Sequence, residues 1–257
     1  MILLIDIGNT NITLGCMDGE QLLFKERIFT DLKMTAVECA ISFMSLLELH
    51  DVQASEMEGG IISSTVPVLT SIVKEAAKKL IGRRILEVGP GVKTGLDIKI
   101  DDPAQLGADL VTGAVAGIQK YGAPLIIVDL GTATAVTVIN TKGQVVGGMI
   151  MPGVGISIEA LSQRTSYLPK INIEPPKKLI GSNTIDCMKS GAVYGAASAI
   201  DGLTARIREE IGADAPVIAT GRQAKKIVPY CKEKVILDDG LLMNGLKLIY
   251  DRNTRKR

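Results

Sequence analysis

A segment near the start of the chain recurs just before its middle. Leu3-Leu4-Ile5-Asp6-Ile7-Gly8 is matched by Leu125-Ile126-Ile127-Val128-Asp129-Leu130-Gly131, which aligns Asp6 with Asp129 and Gly8 with Gly131. Each copy is followed by small polar residues, an alternating strand pattern, an Asp-Gly or Lys-Gly turn and another strand. The chain is therefore an internal duplication, and a repeat of this kind weighs more than any single motif. The halves meet near Gly122-Ala123-Pro124, giving expected domains over 1–121 and 122–257.

Around the repeats, periodicity predicts the remaining elements. Apolar residues at helical spacing (Val37, Ala40, Ile41, Met44, Leu47) mark a helix over 34–49. A buried strand follows at 60–64, a helix from Pro67 to about 81, a strand at 85–88, and a helix over about 104–121. Between the last two lies a breaker-dense loop, 89–103, of the kind that often carries function. The second half adds a helix near 156–161, an irregular stretch over 169–176 and a long helix over 184–211. Helices over 222–231 and 241–250 then alternate with strands at 217–220 and 235–237. Strands alternating with helices make the class α/β. The basic tail over 252–257 reads as a frayed, solubilising end.

Composition narrows the function classes. At 257 residues the chain can bury a full core without disulfides or a structural metal. A net charge of +1 with three Phe, five Tyr and no Trp argues against nucleic acid as a main partner. Asp6 interrupts the apolar start, and no apolar run approaches a membrane span, so neither membrane nor secretion is expected. Cys16, Cys39, Cys187 and Cys231 are scattered without a CxxC pair, which reads as reduced thiols in a cytoplasmic protein.

An Asp-x-Gly turn at a strand end sets a carboxylate there and lets backbone N–H groups approach a ligand closely. One copy is an ordinary turn composition. Two copies at equivalent places in a duplicated fold favour a pair of phosphate cups, able to hold successive phosphates of a nucleotide with a metal between them. Asp6, Ile7, Gly8, Asn9, Thr10 and Asn11 form the first candidate cup, and Gly131 with Thr132 the second. His50, the sole histidine, reads as a helix-end residue, so serine–histidine hydrolysis has no support. Ser63-Ser64 reads either as pocket lining or as a strand-end turn, and Met149 and Met151 as core filling.

The repeated turns resemble those of the acetate and sugar kinase, heat-shock chaperone and actin superfamily. The whole chain is similar to type III pantothenate kinases. The resemblance rests on ordered motifs: Asp6-Ile7-Gly8-Asn9-Thr10, Ser63-Ser64-Thr65-Val66-Pro67, Gly89-Pro90-Gly91-Val92-Lys93-Thr94-Gly95, Gly107-Ala108-Asp109, Asp129-Leu130-Gly131-Thr132-Ala133-Thr134, Ile180-Gly181-Ser182-Asn183-Thr184 and Thr220-Gly221. It implies two actin-like (ribonuclease H-like) domains with a nucleotide cleft between them. The implied reaction is ATP-dependent phosphorylation of the primary hydroxyl of pantothenate, the first step toward coenzyme A. Asp109 is then the general base, Gly107, Ala108, Leu110, Ile100 and Thr184 stand at pantothenate-binding positions, and Asp129 takes a monovalent cation, potassium or ammonium. Asp6 faces Mg²⁺ through water, and the resemblance implies a homodimer in which Thr184 and the long helix after it contribute to the interface.

The chain departs from the family pattern in four places. Leu110 replaces an arginine that helps hold the pantothenate carboxylate, and a leucine offers no forked donors. Ile100 replaces a tyrosine, Arg222 stands in the adenosine-side Thr-Gly-Gly, and Ala135 replaces a threonine. Lys93, Lys99, Arg164 and Arg222 are candidate replacement cations. Phosphate chemistry is intact in this reading and acceptor recognition is altered. The alternatives are a same-fold kinase for another small alcohol and a non-catalytic nucleotide-binding homologue.

Overall fold

The computed structural model describes residues 1–254. The first repeat folds as β1 (Ile2–Ile7), β2 (Asn11–Asp18) and β3 (Gln21–Phe29), followed by α1 (Ala36–Leu49), β4 (Gly59–Ser64), α2 (Pro67–Ile81) and β5 (Ile85–Glu87). A two-residue strand, β6 (Asp97–Ile98), and α3 (Ala108–Tyr121) lead to the second repeat, β7 (Leu125–Leu130), β8 (Ala133–Ile139) and β9 (Gln144–Pro152). The chain closes with α4 (Val154–Arg164), α5 (Thr184–Ile211), β10 (Val217–Thr220), α6 (Ala224–Ile227), β11 (Val235–Leu237) and α7 (Leu241–Thr254).

Two sheets carry the duplication. The first has the order β3-β2-β1-β4-β5, the second β9-β8-β7-β10-β11 read the same way, with β6 added beyond β9. In both, the leading strand pairs antiparallel with its hairpin partner and parallel with the strand on its other side. That is a mixed sheet with its hydrophobic strand at the centre, as the near-continuous burial of β1 and β7 requires.

The chain separates into two units. One comprises residues 1–95, 102–116 and the chain from Leu241 onward, and the other 96–101 and 117–240. This differs from a plain division at 121/122, because α7 packs on β1 and β4 of the first unit. Its buried Leu241, Met243, Leu246, Ile249 and Tyr250 cover the face of that sheet opposite α1 and α2. On the α1/α2 side, Leu3, Ile5, Ile7 and Ile62 meet Phe43, Leu69 and Val73. In the second unit, Ile126, Val128, Val136 and Val217 pack with Val193, Ala197, Ile200 and Ile207 of α5.

Several elements differ from their sequence expectation. In α1 the inward residues are Cys39, Phe43 and Leu47, whereas Val37 and Ile41 are 57% and 53% exposed. The helix is apolar on most sides, so its pattern does not fix its rotation, and the bulky Phe43 takes the core. The helix expected from 104 begins at Ala108. Pro103 supports only a short 3₁₀ turn, capped by the Asp102 side chain, and Gly107 interrupts before α3. Pro229 likewise limits the helix expected over 222–231 to α6 and a 3₁₀ turn. Arg252, Asn253 and Thr254 complete α7 and are not frayed, while 255–257 lie outside the described residues. His50 caps α1 and stacks on Phe24, and Met149 and Met151 pack beside the second core, as expected.

Candidate active site

In the first unit the turn after β1 is closed by backbone. Gly8 N–H donates to Asn11 O at 3.0 Å, and Thr30 binds it from outside, its N–H to Thr10 O at 3.0 Å and its hydroxyl to Gly8 O at 2.7 Å. Thr65 N–H donates to Ile7 O at 2.9 Å. The Asp6-to-Asn11 cup is thus held from both flanks, with Ile7 buried beneath it and Asn9 exposed at its tip. Asp6 is the one residue of β1 that is not buried.

The second turn is one residue shorter. Gly131 N–H donates to Ala133 O at 3.0 Å, where the first turn reaches a residue further. Gly153, the N-cap of α4, lies against the carbonyls of Gly131 and Thr132. Asp129 Oδ1 faces Gly221, whose φ of +91° and lack of a side chain are both needed, since a Cβ would collide with that oxygen. The Thr220-Gly221 motif therefore belongs to the second cup through a side-chain contact that no sequence alignment displays.

Asp109 sits in the first turn of α3, half-buried, with Oδ1 accepting from Leu110 N–H at 2.9 Å. Burial pushes its carboxyl above the ordinary carboxylate range, and the backbone N–H groups of Leu110 and Asp109 only partly oppose this. The carboxylate folds back over Gly107, where a Cβ would stand 2.5 Å from Oδ1. A raised pKa at a helix start is the tuning a proton acceptor needs and differs from that of a solvated surface charge.

The predicted site residues divide between the units. The first holds Asp6, Ile7, Gly8, Asn9, Thr10, Asn11, Gly107, Ala108, Asp109 and Leu110. The second holds Ile100, Asp129, Gly131, Thr132 and Thr184. In the second unit Thr184, at the start of α5, lines a groove of about 730 Å³ walled by Ile158, Leu161, Leu168 and Met188. A smaller cavity of about 210 Å³ reaches Leu130 and Thr134 beside the second cup, and Ser157, Gly191 and Ala192 wall both spaces. Of the candidate cations, Lys99 pairs with Asp97 at 3.1 Å, whereas Lys93, Arg164 and Arg222 are exposed and enter no ion pair among the described residues.

Two further groups fall outside the site residues that the sequence predicts. Ser63 Oγ and Gln223 Oε1 are buried without a hydrogen-bond partner, each an unmet polar group costing about 1–3 kcal/mol. Ser63 stands in register beside Asp6, and Gln223 N–H donates to Leu130 O, one residue past Asp129. The signal in the sequence is a polar residue in or just after the strand paired with each repeat, legible only once that pairing is known. No group of three or more His, Cys, Asp or Glu residues able to hold a metal occurs among the described residues. No described helix is long and apolar enough to cross a membrane.

The chain is similar to known proteins along its whole length. Residues 2–206 match the family model for type III pantothenate kinase. A type III pantothenate kinase of an Exiguobacterium species (strain AT1b) is 45% identical over 255 residues, covering 99% of this chain and all of the relative. That of Halalkalibacterium halodurans is 43% identical over 253 residues, 98% of this chain and all of the relative. Among solved structures, a ROK hexokinase from Thermus thermophilus superposes with a TM-score of 0.51 at 13% identity, covering 98% and 99% of the two chains, a likeness of fold. A chain that matches such relatives end to end belongs to the type III pantothenate kinase family.

Proposed function

We propose that this protein transfers the γ-phosphoryl group of ATP to the primary hydroxyl of pantothenate, giving phosphopantothenate and ADP for coenzyme A synthesis. The observation that carries the reading is Asp109, a half-buried carboxylate with a raised pKa at the start of a helix, in a chain with two Asp-x-Gly turns at the ends of equivalent strands. Its carboxylate takes the hydroxyl proton as the oxygen bonds to the γ-phosphorus and the bond to the bridging oxygen breaks. Asp6 and the backbone of Gly8 to Asn11 bind phosphate oxygens in the first unit, and Gly131 and Thr132 do so in the second. A single carboxylate at each turn suits hard cations that keep most of their ligands as water and phosphate: Mg²⁺ near Asp6, potassium or ammonium at Asp129. Bound there, Mg²⁺ neutralises phosphate charge.

Acceptor recognition is the altered part. Leu110 and Ile100 line the acceptor side in this reading, and Thr184 reaches pantothenate from α5 of a homodimer. The pantothenate carboxylate then needs a cation other than residue 110, and Lys93, Arg164 and Arg222 have charge to spare. The second reading, a kinase for a different small alcohol, rests on Leu110. Purified protein incubated with ATP, Mg²⁺ and potassium, with and without pantothenate, separates the two. Pantothenate-dependent ADP release that Asp109→Asn abolishes supports the first, and release only with other alcohols the second. Lys93→Glu, Arg164→Glu and Arg222→Glu, made singly, identify the carboxylate partner by a rise in KM for pantothenate.

A further inference from the structure

Ser63 and Ser64 end β4, and their surroundings separate their duties. Ser64 Oγ accepts from Val66 N–H at 3.1 Å and from Thr70 Oγ1 at 2.8 Å, which finishes the strand and starts α2. Ser63 plays no part in that turn. It is fully buried, and its hydroxyl has no hydrogen-bond partner. Its register is the informative fact. β4 runs parallel to β1 with Ser63 opposite Asp6, and β2 runs antiparallel on the other side with Thr13 opposite Asp6. Register partners on neighbouring strands project to the same face of a sheet, with Cβ atoms about 5 Å apart. Asp6 therefore stands in a row between two hydroxyls. The second unit has the corresponding row Ala135, Asp129, Thr220, again with a hydroxyl on the parallel strand. At so buried a position packing alone favours an aliphatic side chain, as at Ile61 and Ile62 of the same strand.

We propose that Ser63 is a positioning residue for Asp6, its hydroxyl donating a hydrogen bond that sets the Asp6 carboxylate for a magnesium-bound nucleotide. The inference rests on the reading of Asp6 as a nucleotide-site residue. Rotation between staggered χ1 wells is enough to swing the hydroxyl toward the neighbouring strand, and an ionised carboxylate is a stronger acceptor than a neutral oxygen. In the ligand-free protein the hydroxyl is unmet and works against the fold, and it turns to Asp6 when nucleotide binds, so removing it relieves the ligand-free fold while it harms the loaded site. Stability and ligand binding then move in opposite directions, which a serine with a purely structural role does not do.

The test uses the full-length protein with Ser63→Ala, Ser63→Cys and, as a control, Asp6→Asn. Melting temperature, calorimetric binding of ADP at fixed and varied Mg²⁺, and steady-state kinetics are the readouts. Ser63→Ala and Ser63→Cys are expected to melt no lower than the parent, to bind magnesium ADP about tenfold more weakly, and to lose about tenfold in kcat, the size of one hydrogen bond to a charged group. Half-saturation by Mg²⁺ moves upward with them. Binding and kcat within twofold of the parent overturn the proposal, as does a fall in melting temperature that tracks the loss of activity. If Asp6→Asn leaves magnesium ADP binding unchanged, the reading of Asp6 fails and the proposal with it. If Asp6→Asn abolishes binding while Ser63→Ala does not, the proposal alone falls.

Discussion

Asp109 couples stability to activity through one proton. Its carboxyl is raised by burial, so the folded protein holds that proton more tightly than the unfolded chain does. The folded state is therefore favoured below the raised pKa and loses that advantage as pH climbs from the unfolded value through the folded one. Asp109→Asn is expected to lower kcat roughly 10²–10⁴-fold. The same change raises the melting temperature at neutral pH, with the gap to the parent closing in acid; scanning calorimetry at several pH values checks this. The acid limb of kcat/KM lies above the ordinary Asp range for the same reason, and a pH–rate profile places it. Gly107→Ala probes the neighbour that makes room for the carboxylate. With a Cβ 2.5 Å from Oδ1 the side chain must move, and a displacement of about 1 Å costs roughly 10²-fold in rate with little loss of fold, measurable by kcat beside circular dichroism. Asp109 could be named from its motif, but its burial and its seat over Gly107 could not, because both depend on the backbone path into α3.

Among the elements, α7 shapes the breaker-dense loop that precedes β6. Asn253 Oδ1 accepts from Lys93 N–H and Asn253 Nδ2 donates to Lys93 O, both at 3.0 Å, while Arg252 Nη1 donates to Thr94 O beside Gly95. Asn253→Ala removes both bonds to Lys93 and is expected to speed amide exchange across 89–95 while leaving β1 and β7 protected, as read by exchange mass spectrometry. Along the sequence these are two unrelated features, a glycine-rich loop and a basic tail. Their pairing spans 160 positions and is invisible to any local pattern. The same limit explains α1. Thr35 and Glu38 form a capping box that marks its start, and Thr35→Ala is expected to cost about 1 kcal/mol in denaturant titration. The rotation of that helix, by contrast, follows from which side chain the β-sheet can accept.

For the molecule as a whole, the C-terminal helix belongs to the unit that begins the chain. Ending the protein at Gly240 strips α7 from β1 and β4 and is expected to abolish cooperative unfolding of the first unit; thermal denaturation of the truncated protein decides. The homodimer proposed on the family resemblance, with Thr184 and α5 at its interface, is tested by the mass that sedimentation or light scattering yields. The α/β class, the duplication and the two glycine turns could be read from residues alone, because strand periodicity and turn chemistry act over a few neighbours. Sheet order was beyond that reach, as were the return of α7, the contact of Gly221 with Asp129 and the unmet hydroxyl of Ser63 beside Asp6. Each joins residues distant along the chain, and such pairings are selected by the packing of a whole unit rather than by any segment's own preference.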